Sequence, residues 1–355
     1  DYRDYGRGIR ADRSTIQDNY VRIEDHYDYQ GISYAIESYG DGAPRHTISN
    51  NTIEATRESG GIWASYADIE NNHLSNWSDN NNDEWAIGHG DYNVIRNNTI
   101  TGFRHGIYCD DRWSNEITDN HIETRYWGVY ANNSYGDHII ENNTFNKYTT
   151  EGDWLVYVTN AASVTVSNNE CEALGGSGFY FNNTNVTMDH NLIVSPGRGL
   201  ELTNQAGGKV LNNTIVSTAN GDYGITVSNL STPVMRNNIV QGYSTGMQID
   251  NDLMNTNVSH NALWDISGDL YAGTALAPLI GDPISFNANS DSSDVYGNIY
   301  MDPMFMNADS MDYNLSEGSP CVNAGDPSME DPDGSIVDMG AFFSFYYGCT
   351  DESAF

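Results

Sequence analysis

Along most of the chain, one unit recurs: an apolar residue, a variable residue, a polar pair that is usually Asn-Asn, a second variable residue and another apolar residue. It reads Ile48-Ser49-Asn50-Asn51-Thr52-Ile53 and returns over 69–74, 95–100, 117–122, 140–145, 166–171, 188–193 and 258–263, with close variants beginning at Ile16, Val210 and Met235. The second polar residues are Asn19, Asn51, Asn72, Asn98, Asn120, Asn143, Asn169, Asn191, Asn213, Asn238 and Asn261. They lie 21 to 26 residues apart except for one gap of 32. A period of that size marks a solenoid, and short alternating runs of β-branched and aromatic residues punctuated by Asn and Gly make its elements strands rather than helices. The spacing predicts an all-β fold, a right-handed parallel β-helix of about eleven coils.

Asn suits the turn because it tolerates a left-handed backbone, and its amide can bond the same amide one coil above and below. The second Asn of each pair is therefore expected to be both the turn residue and the rung of an internal ladder. A further motif, Gly followed by apolar, variable and apolar residues, marks another strand of each coil, as in Gly61-Ile62-Trp63-Ala64, Gly106-Ile107-Tyr108-Cys109 and Gly128-Val129-Tyr130-Ala131. With a side-chain period of two, the residues flanking the variable position point inward and the variable one points out. Beyond this strand, Asn133, Asn160, Asn183, Asn204, Asn229 and Asn251 predict a second turn ladder.

These motifs resemble the secreted bacterial parallel β-helix repeat family, whose members include polysaccharide lyases, hydrolases, epimerases and non-catalytic surface proteins. The resemblance implies β-helix repeats over 1–263, closing coils and an irregular C-terminal cap over 264–347, and the start of a tail or truncated repeat over 348–355. The segment from Gly318-Ser319-Pro320-Cys321 through Asp338-Met339-Gly340-Ala341 is similar to the closing segment of such surface proteins. The coil pattern is already running at Gly8, so the first coil is expected to be covered by an upstream segment or by another copy of the chain.

The outward positions of the Gly motif form a column. It runs Trp63, Ala86, Tyr108, Tyr130, Tyr157 and Tyr180, then turns polar at Glu201, Thr226 and Gln248. The aromatic part of this column (Trp63, Tyr108, Tyr130, Tyr157, Tyr180) is a candidate ligand-binding strip, against which sugar rings or a second protein can pack. Beside it lie His89, Arg104, Asp110, Asp111 and Arg112. Acting together they are candidate catalytic residues, with paired carboxylates for acid and base work and arginines facing a uronate.

Charge narrows the partners. Lys and Arg total 15 against 49 Asp and Glu, a net charge of -34, and only Lys147 and Lys209 are lysines. Such a surface repels nucleic acid and anionic membranes and attracts calcium. Asp326, Asp331, Asp333 and Asp338, around the turn Gly334, are candidate calcium ligands that would stabilise the closing segment. No apolar run approaches the length of a membrane span.

Cys109 and Cys171 fall on inward positions and are expected to fill the core, while Cys321 and Cys349 are candidates for a disulfide. His73 and His121 are expected at equivalent outward positions two coils apart. Two functional expectations follow. The first is an extracellular, non-catalytic β-helix, secreted or on the cell surface, that serves as a spacer, a carbohydrate-binding adhesin or a filament subunit packing end to end or laterally on its own copies. The second is a calcium-dependent polysaccharide lyase or glycoside hydrolase.

Overall fold

A computed structural model describes residues 8–24, 33–40, 42–76, 84–88, 90–109, 113–133, 135–150, 154–250 and 257–344. Each coil carries three strands, exemplified by His46–Ser49 on the first face, Thr52–Thr56 on the second and Gly60–Ala64 on the third. Stacking pairs every strand in parallel with its counterpart one coil on: Ile48 with Ile69, Ile53 with Leu74, Ile62 with Ile87. The first faces form an 11-stranded sheet. The second and third faces merge into a 21-stranded sheet because the long strands Thr214–Ser228 and Ile239–Asp250 run through both. The fold is the parallel β-solenoid the repeat predicts. Its core is the stack of inward Ile, Val, Leu and Phe residues, nearly all fully buried.

The polar pair divides its two tasks between its members, which corrects the expectation that placed both on the second Asn. The first member takes the left-handed conformation, as at Asn50 (φ 55°), Asn97 (φ 55°), Asp119 (φ 57°) and His190 (φ 52°). The second, buried at every rung after Asn19, builds the ladder. Its Nδ2 donates to the next Oδ1 over 2.8–3.0 Å without a break from Asn19 to Asn261. Each Oδ1 also accepts the backbone N–H of the preceding rung, as Asn143 does from Asn120 at 3.0 Å. A left-handed residue swings the chain through the corner, and that swing turns the following side chain inward. One residue cannot do both.

The ladder does not stop at Asn261. Its amide donates at 3.0 Å to Asn298 in the closing segment, whose Nδ2 donates in turn to both carboxylate oxygens of the buried Asp294. Every amide points its N–H the same way, so the dipoles add along the axis, and a carboxylate at the donor end compensates them as an acid does at a helix N-terminus.

Inside the Gly motif, the glycine is required by close approach. A Cβ on Gly61 would sit 2.3 Å from the Ala86 carbonyl oxygen, and one on Gly106 would sit 2.3 Å from that of Gly128. The second turn ladder is partly formed: Asn160 donates to Asn133 at 2.8 Å and Asn183 to Asn160 at 3.0 Å, whereas Asn229 turns to Thr203 and Asn251 lies outside the described residues.

The closing segment does two things. Its first part ends the solenoid, with Tyr271 pairing Met247 and Ile299 bridging Ala262. The rest runs back along the side as a strap over the second face. Tyr313 packs on Leu192, Val194 and Val216, and Cys321, Ala324 and Met339 pack on Ile239 and Ala262. The strap is pinned by the Arg236–Asp326 ion pair at 2.6 Å and by the Gly340 N–H on the Asn237 carbonyl at 2.7 Å. Cys321 is buried, and Cys349, its expected disulfide partner, lies outside the described residues. Cys109 and Cys171 are buried as expected, and burial raises the Cys109 thiol to about 12.

Candidate ligand-binding surface

The third face carries the aromatic strip. Register places Tyr108 beside Tyr130, Tyr130 beside Tyr157 and Tyr157 beside Tyr180. Their rings are near-parallel, within 3–6°, with centroids 5.9, 5.1 and 4.9 Å apart. One member of the column differs from expectation. Trp63 pairs with Gly88 rather than Ala86, which is buried in the core. Ala86 stands level with the motif Gly61 and Ile87 with Ile62, so the outward position falls on Gly88. Gly88 is bare because the Trp63 indole lies over it: a Cβ there would meet that ring at 2.6 Å. By leaning across, Trp63 stacks on Tyr108 at 6.4 Å and closes the gap.

A second aromatic column, not foreseen from the sequence, flanks the first. It comes from the residue three positions earlier on each coil: Tyr34, Trp85, His105, Trp127 and Trp154. Trp85 pairs with His105, whose imidazole is sandwiched between Trp85 at 4.4 Å and Trp127 at 4.9 Å. Burial drives that imidazole's pKa down to about 3, so it is a neutral aromatic ring at any ordinary pH. The two columns meet at 41–48° in Tyr34–Trp63, Trp85–Tyr108, Trp127–Tyr130 and Trp154–Tyr180. The strip is therefore a corrugated ribbon rather than a flat one. The signal that could have found the second column is the residue just before each motif Gly, at Trp127 and His105.

Behind one edge of the ribbon, at the corner between second and third faces, lies a charged cluster. Glu84 is fully buried and accepts from Arg125 at 2.6 Å and from the Arg104 backbone N–H at 3.3 Å. Burial pushes its carboxyl up to about 7 despite Arg125. Arg104 and Lys147 lie over the Tyr126 ring, 5.4 and 5.8 Å from its centroid. Glu84 Oε2 and the Trp127 indole N–H are buried without a hydrogen-bond partner.

Of the candidate catalytic residues only Arg104 can be placed, because His89, Asp110, Asp111 and Arg112 lie outside the described residues. Arg104 enters the strand His105–Tyr108 at the edge facing the second face, and the chain leaves that strand toward the first face. His73 and His121 stand two coils apart on the second face with Thr99 between them, as expected.

The acidic residues of the closing segment are occupied separately. Asp326 holds Arg236 and Ser328, Asp331 accepts the Asp338 N–H, Asp338 accepts those of Asn323 and Ser344, and Asp333 turns to Ser335. Among the described residues no three His, Cys, Asp or Glu are gathered to hold a metal ion.

Comparison with known proteins gives two family-model matches, which together tile the solenoid. One described as a right-handed beta helix region covers residues 127–298, and one described as periplasmic copper-binding protein (NosD) covers residues 2–153. The donor set of the described residues does not fit a copper site. No curated protein matches. A solved structure, the A-module of the Azotobacter vinelandii mannuronan C-5 epimerase AlgE6, aligns with 77% of this chain and 91% of that chain at 11% identity. Its TM-score of 0.28 is too low to carry an argument. With three parallel ladders, one continuous amide column and two family models matching successive stretches of the coils, the chain has the fold of the right-handed parallel β-helix repeat proteins.

Proposed function

We propose that this is a non-catalytic, glycan-binding β-helix acting outside the cytoplasm, with the aromatic ribbon as its contact surface. The observation that carries this reading is the ribbon itself. Trp63, Tyr108, Tyr130, Tyr157 and Tyr180 are all partly exposed and lie in line, whereas equivalent positions farther along are Glu201, Thr226 and Gln248. Amphipathic rings held rigid at regular spacing match the apolar faces and hydroxyls of a sugar chain at low entropic cost. The net charge of -34 opposes polyanions, which favours a neutral polysaccharide. A location outside the cytoplasm is supported by the word periplasmic in the matched family description.

The test is gel retardation in neutral and in uronate polysaccharides, with and without calcium. The Tyr130→Ala/Tyr157→Ala variant, checked for folding by circular dichroism, should lose about tenfold or more in affinity, as two aromatic contacts of about 1 kcal/mol each would give. Undiminished retardation would refute the ribbon as the contact surface. Light scattering in the same buffers reads the competing partner, other copies of the chain. A polysaccharide lyase or hydrolase is the second reading, favoured by Arg104, whose guanidinium lies over the Tyr126 ring beside the ribbon. New reducing ends or unsaturated products in the same screen would establish it.

A further inference from the structure

We infer that the tyrosine stack is a site of oxidative cross-linking, where a peroxide couples neighbouring phenols into a dityrosine bridge between coils. The inference is independent of what the ribbon binds. Three successive ladder pairs are Tyr–Tyr, with rings within 6° of parallel and centroids no more than 5.9 Å apart. The backbones beneath are fixed by parallel pairing, so two phenoxyl radicals formed here are already at reaction distance, with no diffusive search. All four rings are partly exposed, so a small oxidant reaches them. The indoles of Trp85 and Trp127 touch the stack at 4.8 and 4.6 Å, so an electron lost from either is refilled from a tyrosine.

The chemistry balances. Each phenol loses one electron and its hydroxyl proton, and the unpaired spin spreads to the ring carbons beside the oxygen. Two such carbons form one C–C bond, and loss of their two C–H protons, which return to the oxygens, restores both aromatic rings. The two electrons and two protons removed overall convert one hydrogen peroxide into two waters. In a solenoid each coil touches only its neighbours, so a covalent bridge between coils blocks local unzipping at that point.

Other tyrosines supply comparators. Tyr20 and Tyr135 are each 62% exposed and can couple between molecules, while Tyr66 and Tyr92 are in contact at 5.2 Å but tilted by 42°. The experiment treats dilute protein with persulfate and a photoexcited ruthenium polypyridyl complex, with free tyrosine as the control for the oxidant; persulfate takes up the two electrons as two sulfates. Expected are a monomeric band on a denaturing gel, dityrosine fluorescence, an intact mass lower by two hydrogens per bridge, and linked peptides joining Tyr157 to Tyr130 or Tyr180. Tyr130→Phe/Tyr180→Phe keeps every ring but removes every adjacent phenol pair in the stack, and should abolish the bridges mapped there. The inference is overturned if wild-type bridges map only to Tyr66–Tyr92 or between molecules, if none form, or if the double variant keeps its stack-mapped yield.

Discussion

Replacing Asn143 by Ala tests whether the amide column fastens the coils. Its Oδ1 accepts the Asn120 backbone N–H and the Asn120 Nδ2, each at 3.0 Å, while its own Nδ2 donates to Asn169 Oδ1, Glu141 O and Ile117 O. After the substitution most partners keep something. Asn120 Nδ2 retains the Ile95 and Thr118 carbonyls, and Asn169 Oδ1 retains the Asn143 backbone N–H. The Asn120 backbone N–H retains nothing, in a residue 2% exposed. An orphaned buried donor costs about 1–3 kcal/mol and the net loss of the ladder bonds about 1 kcal/mol more, so the expected destabilisation is about 2–4 kcal/mol. Urea unfolding gives the total, and hydrogen exchange should speed up most at Asn120 and its neighbours. The control is Asn142→Ala, which keeps the ladder and places Ala at φ 55°, for about 1 kcal/mol. If Asn143→Ala costs no more than Asn142→Ala, the ladder is not what holds the coils in register.

Two further outcomes follow from buried polar groups. His138 is buried with its Nδ1 accepting the Asn115 backbone N–H, and burial lowers its pKa to about 4 from an ordinary 6.5. The unfolded chain binds this proton first, so stability is full above pH 6.5 and is lost as pH falls through that value toward 4, by about 3 kcal/mol in all. His138→Asn, which offers a neutral acceptor as Asn115 does on the coil before, should flatten that part of the pH–stability curve; an unchanged curve would count against it. Asp294→Ala should remove the acceptor at the ladder's end, leaving the Gly281, Tyr296 and Asn298 backbone N–H groups without it. A loss of about 3–5 kcal/mol is expected, with exchange fastest around Ile299, and protection there equal to wild type would refute it.

The fold was legible because a solenoid repeats its instructions. Inward Ile, Val and Leu at period two, and Asn returning every 21–26 residues, report the strand, the corner and the coil step locally, so the ladder from Asn19 to Asn261 and the tyrosine column could be read directly. Reading failed where a coil departs from the motif. On the Trp85 coil Ala86 replaces the motif Gly and the outward position falls on Gly88, and the residue at the place before the motif Gly changes type too freely, from Gly60 to Trp85 to His105, to announce a second aromatic column. Glu84 and Arg125, 41 residues apart, meet only because coils stack. The strap is the clearest case: Leu192, Val194, Val216 and Ile239 occupy outward positions that alternation assigns to solvent, and they are buried because a segment about a hundred residues later lies across them. Alternation in sequence specifies which side of a strand a residue takes. What covers that side is decided by long-range docking, which has no period to read.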